Sequence, residues 1–584
     1  MPYLLSPAGS MESLKAAINA GADEIYLGGS LFNARMNARN FDENSLIEAK
    51  KRCEAANVKL HITLNTLIYD KELAKALDYV AFLENKVRPD ALIVQDVGII
   101  KKIRENFPSM PLHASTQLRI HSHLDAKYLK DLGFTRAVLA RELPKEDIAL
   151  FAKTGLETEI FVHGALCVSE SGGCLMSSVI GGRSGNRGEC AQPCRLGCKG
   201  INKYPLSLKD SCLAKHLTEI DGMGVTSLKI EGRMKSPEYV GAVTAIYRKI
   251  LDEKRDATEA EIKTLESVFS RSGFTDGYFV GKINPSMFGI RREEDKESTE
   301  KLYFIPPKAE KRVYHANPEV KKETVFTPVT EKILSPAKQK GLVFRFEGKA
   351  PCKSLLEKLY PLAARIDIPL RFCGKDYLKP FSDKISAVMP RNIFSSELPD
   401  TKKQIENAKK LGISHAVVSA LYQAELCKDF YIHGDYALNV FNSESEKFFE
   451  NYGFSSIMLS PESDGKFVRQ SACALEYIGY GRTPLMHTRT CIIKNAEGCK
   501  NKELCFGNLV DRTGARFPII SGVDHRNTIY NSLPRFALDK RKEYKKCGVG
   551  LITLLFTDES DAQIEKIVSL ALSDAKPDFE YTRK

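Results

Sequence analysis

Five cysteines, Cys167, Cys174, Cys190, Cys194 and Cys198, fall within 32 residues of one another in EIFVHGALCVSESGGCLMSSVIGGRSGNRGECAQPCRLGC. Four thiolates can hold a tetrahedral zinc or an iron–sulfur cluster. The glycines Gly172, Gly173, Gly181, Gly182, Gly185 and Gly188 let the backbone turn tightly round such a centre. Structural zinc usually takes two close cysteine pairs. Here Cys190 and Cys194 make one such pair, but Cys167 and Cys174 have six residues between them, so the spacing favours a cluster over zinc. GGRSGNRG lacks the G-K-[ST] ending of a phosphate-binding P-loop, and Arg183, Arg187 and Arg195 could contact phosphate or merely solvate the loop. A second group, Cys491, Cys499 and Cys505, is a candidate metal site with His525 as a candidate fourth ligand.

The first cysteine group needs a scaffold, and the flanking sequence describes one. Over the first 240 residues short apolar runs alternate with amphipathic segments of helical spacing. The runs are Leu4-Leu5-Ser6, EIYLGG, KLHITLNTLI, ALIVQD, PLHASTQ, RAVLARE, ETEIFVHGA and SLKIEG. Eight strands with helices between most of them predict an α/β fold, a TIM-like (β/α)8 barrel, with a doubly wound open sheet as the alternative. A barrel places its active site at the C-terminal strand ends. Those ends carry Asn33, Arg35, Asn65, Gln95, Asp96, His113, Ser115, Gln117, Arg141, Glu142, His163, Glu231 and Arg233. Arg35, His113 and Arg141 are candidates for holding an anion, and Asp96 and Glu142 for proton transfer or for orienting those groups. Lys229, Arg233 and Lys235 of KIEGRMK are candidates for phosphate contact. The connection after the seventh strand carries the cysteines and is about 60 residues long, where short loops are the rule.

Composition narrows the classes. The chain has 584 residues, enough for three or four ordinary domains or two large ones. Hydrophobic residues at 43% and charged residues at 27% exclude collagen-like and wholly disordered chains. Fifteen cysteines, an odd number in a long chain, do not read as a disulfide-stapled secreted module. The start MPYLLSPAGS lacks signal-peptide features, and no apolar run is long enough to span a bilayer, so a cytoplasmic location is expected. A net charge of +12 is compatible with a polyanionic partner. There is no HExxH zinc-protease motif and no GxSxG elbow. His163, four residues before Cys167, keeps a cysteine-protease pairing open.

Around the cysteines the chain resembles the U32 family, long labelled collagenase-like peptidases. The family signature is matched without a gap by Glu159, Phe161, Gly164, Ala165, Leu166, Cys167, Gly172, Cys174, Met176 and Ser177. LLSPAGSMESLKAAINAGADEIYLGG, NTLI, IVQD, HASTQ, VLARE, RSGNRGECAQPCR and KIEGRMKSPEYV extend the resemblance over residues 4–248. It implies two competing functions, peptidase activity and oxygen-independent 5-hydroxylation of pyrimidines in tRNA or large-subunit rRNA. The hydroxylating branch implies a [4Fe–4S] cluster on Cys167, Cys174, Cys190 and Cys194, with prephenate as co-substrate. In one relative a ligand lies in the segment matching KSPEYV, where this chain has Val240. Among the strand-end residues, Arg35, Lys229, Glu231 and Arg233 are candidates for cofactor binding, and Asp96, His113, Arg141, Glu142 and His163 for catalysis. A metal-stabilised, non-catalytic RNA-binding protein is a further alternative.

The remainder of the chain repeats the pattern. Residues 291–340 are charged and proline-containing and read as a linker between a domain at 1–290 and another at 341–584. Strand-like runs resume with GLVFRF, AARIDI, ISAVMP, HAVVSAL, YIHGDYALNVF, SSIMLSP and ALEYIGYG. His113 aligns with His433, Gly133-Phe134 with Gly453-Phe454 and Glu142 with Glu462, all at a shift of 320, while EIFVHG aligns with EYIGYG at a shift of 317. Near-constant shifts predict a second, degenerate barrel-like repeat. Within the resemblance, this layout is closer to the rRNA branch than to the shorter tRNA enzymes.

Overall fold

The computed structural model describes all residues except 37, 201–202, 292–327, 336–338, 464–472, 499–504, 523–524, 574 and 583–584. Most of the expected linker and Cys499 therefore lie outside the described residues. The chain divides into two compact units, one of residues 1–68, 72–324 and 488–497, the other of 69–71, 325–487 and 498–584.

The first unit holds a closed eight-stranded parallel barrel. Its strands are β1 (Tyr3–Ala8), β2 (Glu24–Gly28), β3 (Lys59–Leu64), β4 (Ala91–Val94), β5 (Leu112–Ala114), β6 (Phe134–Val138), β7 (Glu157–Ala165) and β8 (Ser227–Ile230). Neighbours pair in parallel in chain order, and β8 closes the ring by pairing with both β7 and β1. The strands are buried on both faces, as in parallel sheets covered by helices. Helices start where the sequence supplies caps. The side chains of Ser10, Asp42, Asp96 and Ser236 accept from amides in the first turns of helices Met11–Asn19, Glu43–Ala55, Val97–Asn106 and Pro237–Asp252.

The second unit holds a closed barrel of its own. Its strands are β9 (Gly341–Phe346), β10 (Ala363–Pro369), β11 (Ile385–Val388), β12 (His415–Val418), β13 (Tyr431–Gly434), β14 (Ser456–Met458), β15 (Ala474–Gly481) and β16 (Val549–Phe556). The ring closes through β15, which pairs with β14 and with β16. The run VGLITLLF, which forms β16, is absent from the seven strands read from the sequence; it lies more than 60 residues beyond β15 and supplies the closing strand.

Local geometry repeats as well. Ser115 after β5 and Asp435 after β13 each cap a short turn, Thr116–Leu118 and Tyr436–Leu438, that ends in a left-handed residue, Arg119 or Asn439. Gly164 and Gly481 both take positive φ, and a Cβ there would fall 2.7 Å from the Glu231 carbonyl oxygen and 2.4 Å from that of Leu555. Both positions therefore require glycine against the eighth strand.

Each barrel encloses a layer of buried charge. In the first, Arg136 holds Glu24 through two hydrogen bonds of 2.6 and 2.9 Å and reaches Glu159 at 3.2 Å, while Lys229 holds the other Glu159 oxygen at 2.7 Å. In the second, Arg365 pairs with Asp367 at 2.6 Å and Glu476 at 2.8 Å. Such groups tolerate burial only because each charge meets its opposite.

Candidate active site

Eight of the predicted polar residues meet at the C-terminal mouth of the first barrel. Arg35, Asn65, Ser115, Gln117, Arg141, Lys229, Glu231 and Arg233 line one cleft, with Tyr26, Thr63 and Phe161 among its other walls. Glu231 follows β8 and lies between two cations: Arg35 reaches one oxygen at 3.3 Å and Arg141 the other at 3.0 Å. Burial opposes its charge, but Arg35, Arg141 and Arg233 outweigh that and hold its carboxyl at about 2. The Arg141 guanidinium also stacks 4.2 Å from the centre of the Phe161 ring. Arg233 is anchored by Thr63, Asn33 and Asn40 at 3.2, 2.7 and 3.0 Å. Three arginines thus face one carboxylate, while Lys229 at the cleft floor is paired with Glu159. Three buried atoms of the lining, Arg141 Nε, Arg233 Nε and Gln117 Oε1, have no hydrogen-bond partner among the described residues. Buried polar groups are rarely left unpaired, so the cleft has spare hydrogen-bonding capacity for an anionic ligand.

The cysteine segment is tied to this mouth at several points. Gly172 packs with positive φ onto the loop after β5, where a Cβ would fall 2.2 Å from the Gln117 carbonyl oxygen. Ala191 N donates to Ser177 Oγ at 2.9 Å, joining the residue after Cys190 to the helix after Cys174. Arg187 forms a two-bond pair with Glu72 and donates to the Leu67 carbonyl; Arg195 donates to Leu166, Leu208 and Ser207. These two arginines hold the loop rather than presenting free phosphate contacts. The four thiols share one neighbourhood. Burial pushes Cys174 up, followed by the effects of Cys167, Cys194 and Cys190; burial also raises Cys167, and raises Cys194 to about 12. Arg141 acts on Cys167, and Cys190 on Arg35, so the group borders the cationic cleft. Among the described residues, the one set of three potential ligand atoms within 4.8 Å of one another is His61, His113 and Glu159, so the sulfurs stand wider than that. Tetrahedral zinc at about 2.3 Å from sulfur requires sulfurs about 3.8 Å apart.

Several expected site residues lie elsewhere. Asp96 caps helix Val97–Asn106, and its oxygens accept from the amides of Gly98, Ile99 and Ile68, so it is not presented to the cleft. His113 lies within the barrel edge-on to His61, with ring centres 4.7 Å apart. Burial, then Arg136 and His61, hold it well below the usual histidine range, so its neutral ring supplies no charge to an anion. The surrounding cations also argue against a metal ion at His61, His113 and Glu159, since Lys229 and Arg136 already occupy the Glu159 oxygens. His163 is displaced by a register shift between β7 and β8. It packs against Tyr239 and Tyr247 of helix Pro237–Asp252, and burial lowers it to about 3. Glu142 points away from the cleft to His121 and Ser171. Lys229 and Arg233 are buried cleft residues, and Lys235 lies over the Phe269 ring, half out of solvent; none is a surface phosphate contact. In the second group, Cys491 and Cys505 are buried and belong to different units.

Tyr26, Thr63 and Phe161 were missed because they sit inside apolar runs. Strand alternation could have found them: Glu24 and Tyr26, His61 and Thr63, Glu159 and Phe161, and Lys229 and Glu231 are pairs two residues apart that face the interior. His121, in the loop after β5, carries no comparable signal.

The second barrel's mouth is filled. An antiparallel sheet of Pro484–Thr488, Asn527–Tyr530, Arg516–Ser521 and Phe506–Asp511 follows β15. Its Ile520 and Tyr530 pack with Tyr436, Met458, Ile478 and Leu555 in one buried apolar cluster. The cations there are taken up internally: Arg345 and Arg391 both bind Asp435 at 2.6 Å.

The profile of Peptidase family U32 matches residues 9–287 and 375–507. The chain is 38% identical over 303 residues to the "Uncharacterized protease MJ0090" of Methanocaldococcus jannaschii, covering 48% of this chain and 73% of that one. It is 40% identical over 299 residues to the "23S rRNA 5-hydroxycytidine C2501 synthase" of Escherichia coli, covering 47% of this chain and 45% of that one, so less than half of that relative is spanned. It is 36% identical over 305 residues to the "tRNA hydroxylation protein P" of Helicobacter pylori J99, covering 47% and 71%. A profile that reaches into both barrels, and relatives aligned over the stretch that carries the cleft and the cysteines, place this chain in Peptidase family U32.

Proposed function

We propose that this chain is an RNA-modifying enzyme that installs a 5-hydroxyl group on a pyrimidine without molecular oxygen, in large-subunit rRNA rather than tRNA. It does so with a [4Fe–4S] cluster on Cys167, Cys174, Cys190 and Cys194 and with prephenate as an anionic co-substrate. The observation that carries this reading is the placement of four cysteines beside a cleft whose three arginines face one carboxylate. The donor set suits the cluster: four soft thiol ligands on a loop anchored to the barrel. When bound by these four cysteines, such a cluster would supply electron transfer beside the cleft.

The chain's own residues bind and orient. Arg141, Arg35 and Arg233 attract the co-substrate carboxylates, with Glu231 as the internal counter-ion that spaces the two nearest guanidinium groups. Phe161 and Tyr26 form the aromatic walls, and Gln117 offers an acceptor. C5 of a pyrimidine reaches such a recess only when the base is unstacked or flipped. Met36, Leu196 and Met234, on loops after the strands of the first barrel, and Ile180, in the helix after Cys174, expose apolar surface suited to the faces of unstacked bases. Length favours rRNA. The aligned stretch is 45% of the rRNA relative but over 70% of the other two, so that relative, like this 584-residue chain, extends far beyond one barrel.

The deciding experiment is deletion of the gene followed by mass analysis of rRNA and tRNA nucleosides, with iron and sulfide assayed on anaerobically purified protein. Loss of a 5-hydroxypyrimidine from large-subunit rRNA, and its return with the wild-type gene, is the expected result. If no such nucleoside changes, RNA hydroxylation is wrong and peptide hydrolysis becomes the activity to assay.

A further inference from the structure

Glu142 and His121 form a buried ion pair that the cleft does not use, and Ser171 joins them to the cysteine loop. Glu142 directly follows Arg141, so one turn sends a guanidinium into the cleft and a carboxylate toward the loop. One carboxylate oxygen accepts from Ser171 N at 2.8 Å and from His121 Nε2 at 2.5 Å. The other accepts from Ser171 Oγ at 3.0 Å. The Arg141 amide lies 3.4 Å from the same hydroxyl. His121 Nδ1 lies 2.8 Å from the Arg119 carbonyl oxygen. Both ring nitrogens therefore face acceptors, a carboxylate and a carbonyl. Only the imidazolium can donate to both at once, so the ring is charged where it is 1% exposed.

A buried ion pair of this kind is a poor source of stability but a good source of a single geometry. Its hydrogen bonds converge on Ser171, midway between Cys167 and Cys174. Gly172 next to it is pressed against the Gln117 carbonyl, so the loop is pinned on two sides.

We propose that His121 and Glu142 are positioning residues that fix the Cys167–Cys174 segment at the mouth of the first barrel. For the iron–sulfur consequence this rests on the proposed function above; for the thiol geometry it does not. His121 keeps the Glu142 carboxylate ionised and in place, and Glu142 sets the Ser171 backbone that spaces the two sulfurs. The work is done before any ligand arrives, so it is readable in the metal-free chain.

The test is site-resolved alkylation with N-ethylmaleimide, read by mass spectrometry, on metal-free full-length wild type and on E142A, H121F and S171A. The exposed Cys352 is the internal standard. E142A should raise the rates at Cys167 and Cys174 about tenfold relative to Cys352, and H121F should do the same. S171A, which keeps the Ser171 backbone bond to Glu142, should raise them about threefold and guards against misfolding of the larger changes. The rate at Cys190 should stay unchanged, a selectivity that general loosening would not give. In protein reconstituted with iron and sulfide, E142A should also alter the electron paramagnetic resonance spectrum of the reduced centre. Unchanged rates at Cys167 and Cys174 in folded S171A and E142A overturn the proposal, as does equal acceleration at all four cysteines. Wild-type protein that takes up no iron ends the cluster reading alone and leaves the alkylation result to stand or fall by itself.

Discussion

The two barrels share a plan and differ at the mouth. Both close eight parallel strands, bury an ion-pair layer, and insert a long segment between the seventh and eighth strands. In the first, that insertion is a glycine-rich cysteine loop beside a cleft with spare donors. In the second it is an antiparallel sheet whose Ile520 and Tyr530 fill the barrel end, while Asp435 absorbs both Arg345 and Arg391. Arg141 has Pro461 as its counterpart at a shift of 320, so a central cation of the cleft is missing from the second copy. The insertion thus leaves the strand ends of the first barrel open and covers those of the second.

That contrast can be broken most severely at the cysteines. C174A and C190A should each abolish iron uptake and lower hydroxylation about 100-fold or more, whereas C427A, in the core of the second barrel, should retain both. Iron analysis and nucleoside mass spectrometry read the outcome, and iron loss in C427A would erase the asymmetry. The ion-pair layers, by contrast, should behave alike. R136M and R365M each leave buried carboxylates short of a cation and should cost about 3–5 kcal/mol, measured from urea midpoints. A cost under about 1 kcal/mol in either would mean that layer is not structural.

Acid titration sharpens the comparison within the first barrel. Burial opposes the charge of Glu142, but His121 and the Ser171 bonds hold its carboxyl at about 2 in the folded protein, below the ordinary 4.5. A depressed carboxyl contributes stability that is present above about pH 4.5 and is lost as pH falls toward 2. The difference amounts to about 3 kcal/mol. Urea unfolding of E142Q should lack that part of the acid slope, and parallel slopes for E142Q and wild type would refute the assignment. The smallest effects belong to the mouths. R141A should raise the apparent KM for the proposed anionic co-substrate about tenfold, E231Q should lower it about threefold, and R391A should leave it unchanged, since the proposed anion site is the cleft of the first barrel. Steady-state kinetics with varied co-substrate distinguishes these cases; an R391A effect as large as that of R141A would make both mouths functional.

Much of this was legible in residue order. The eight apolar runs of the first half coincide with β1 to β8, because strands buried on both faces are written as continuous Val, Ile and Leu stretches. The repeat showed in near-constant shifts, yet β16 stayed hidden because a long insertion separates it from β15. Arg35, Arg141, Glu231 and Arg233 could be assigned to the mouth by their place after strands. Asp96 and His163 could not be excluded by the same rule. An N-cap and a catalytic carboxylate look identical in sequence, and a single register shift between β7 and β8 is enough to turn a histidine toward a helix.

The sequence by itself determined the strand and helix alternation, the duplication and the cysteine grouping, because these depend on local periodicity and spacing. Only the tertiary structure decided which polar residues share a cleft, that His121 and Glu142 pair behind the cysteine loop, and that one mouth is open while the other is filled. Those outcomes depend on contacts between residues far apart in the chain, where burial sets the strength of each charge and packing decides which groups keep a free valence.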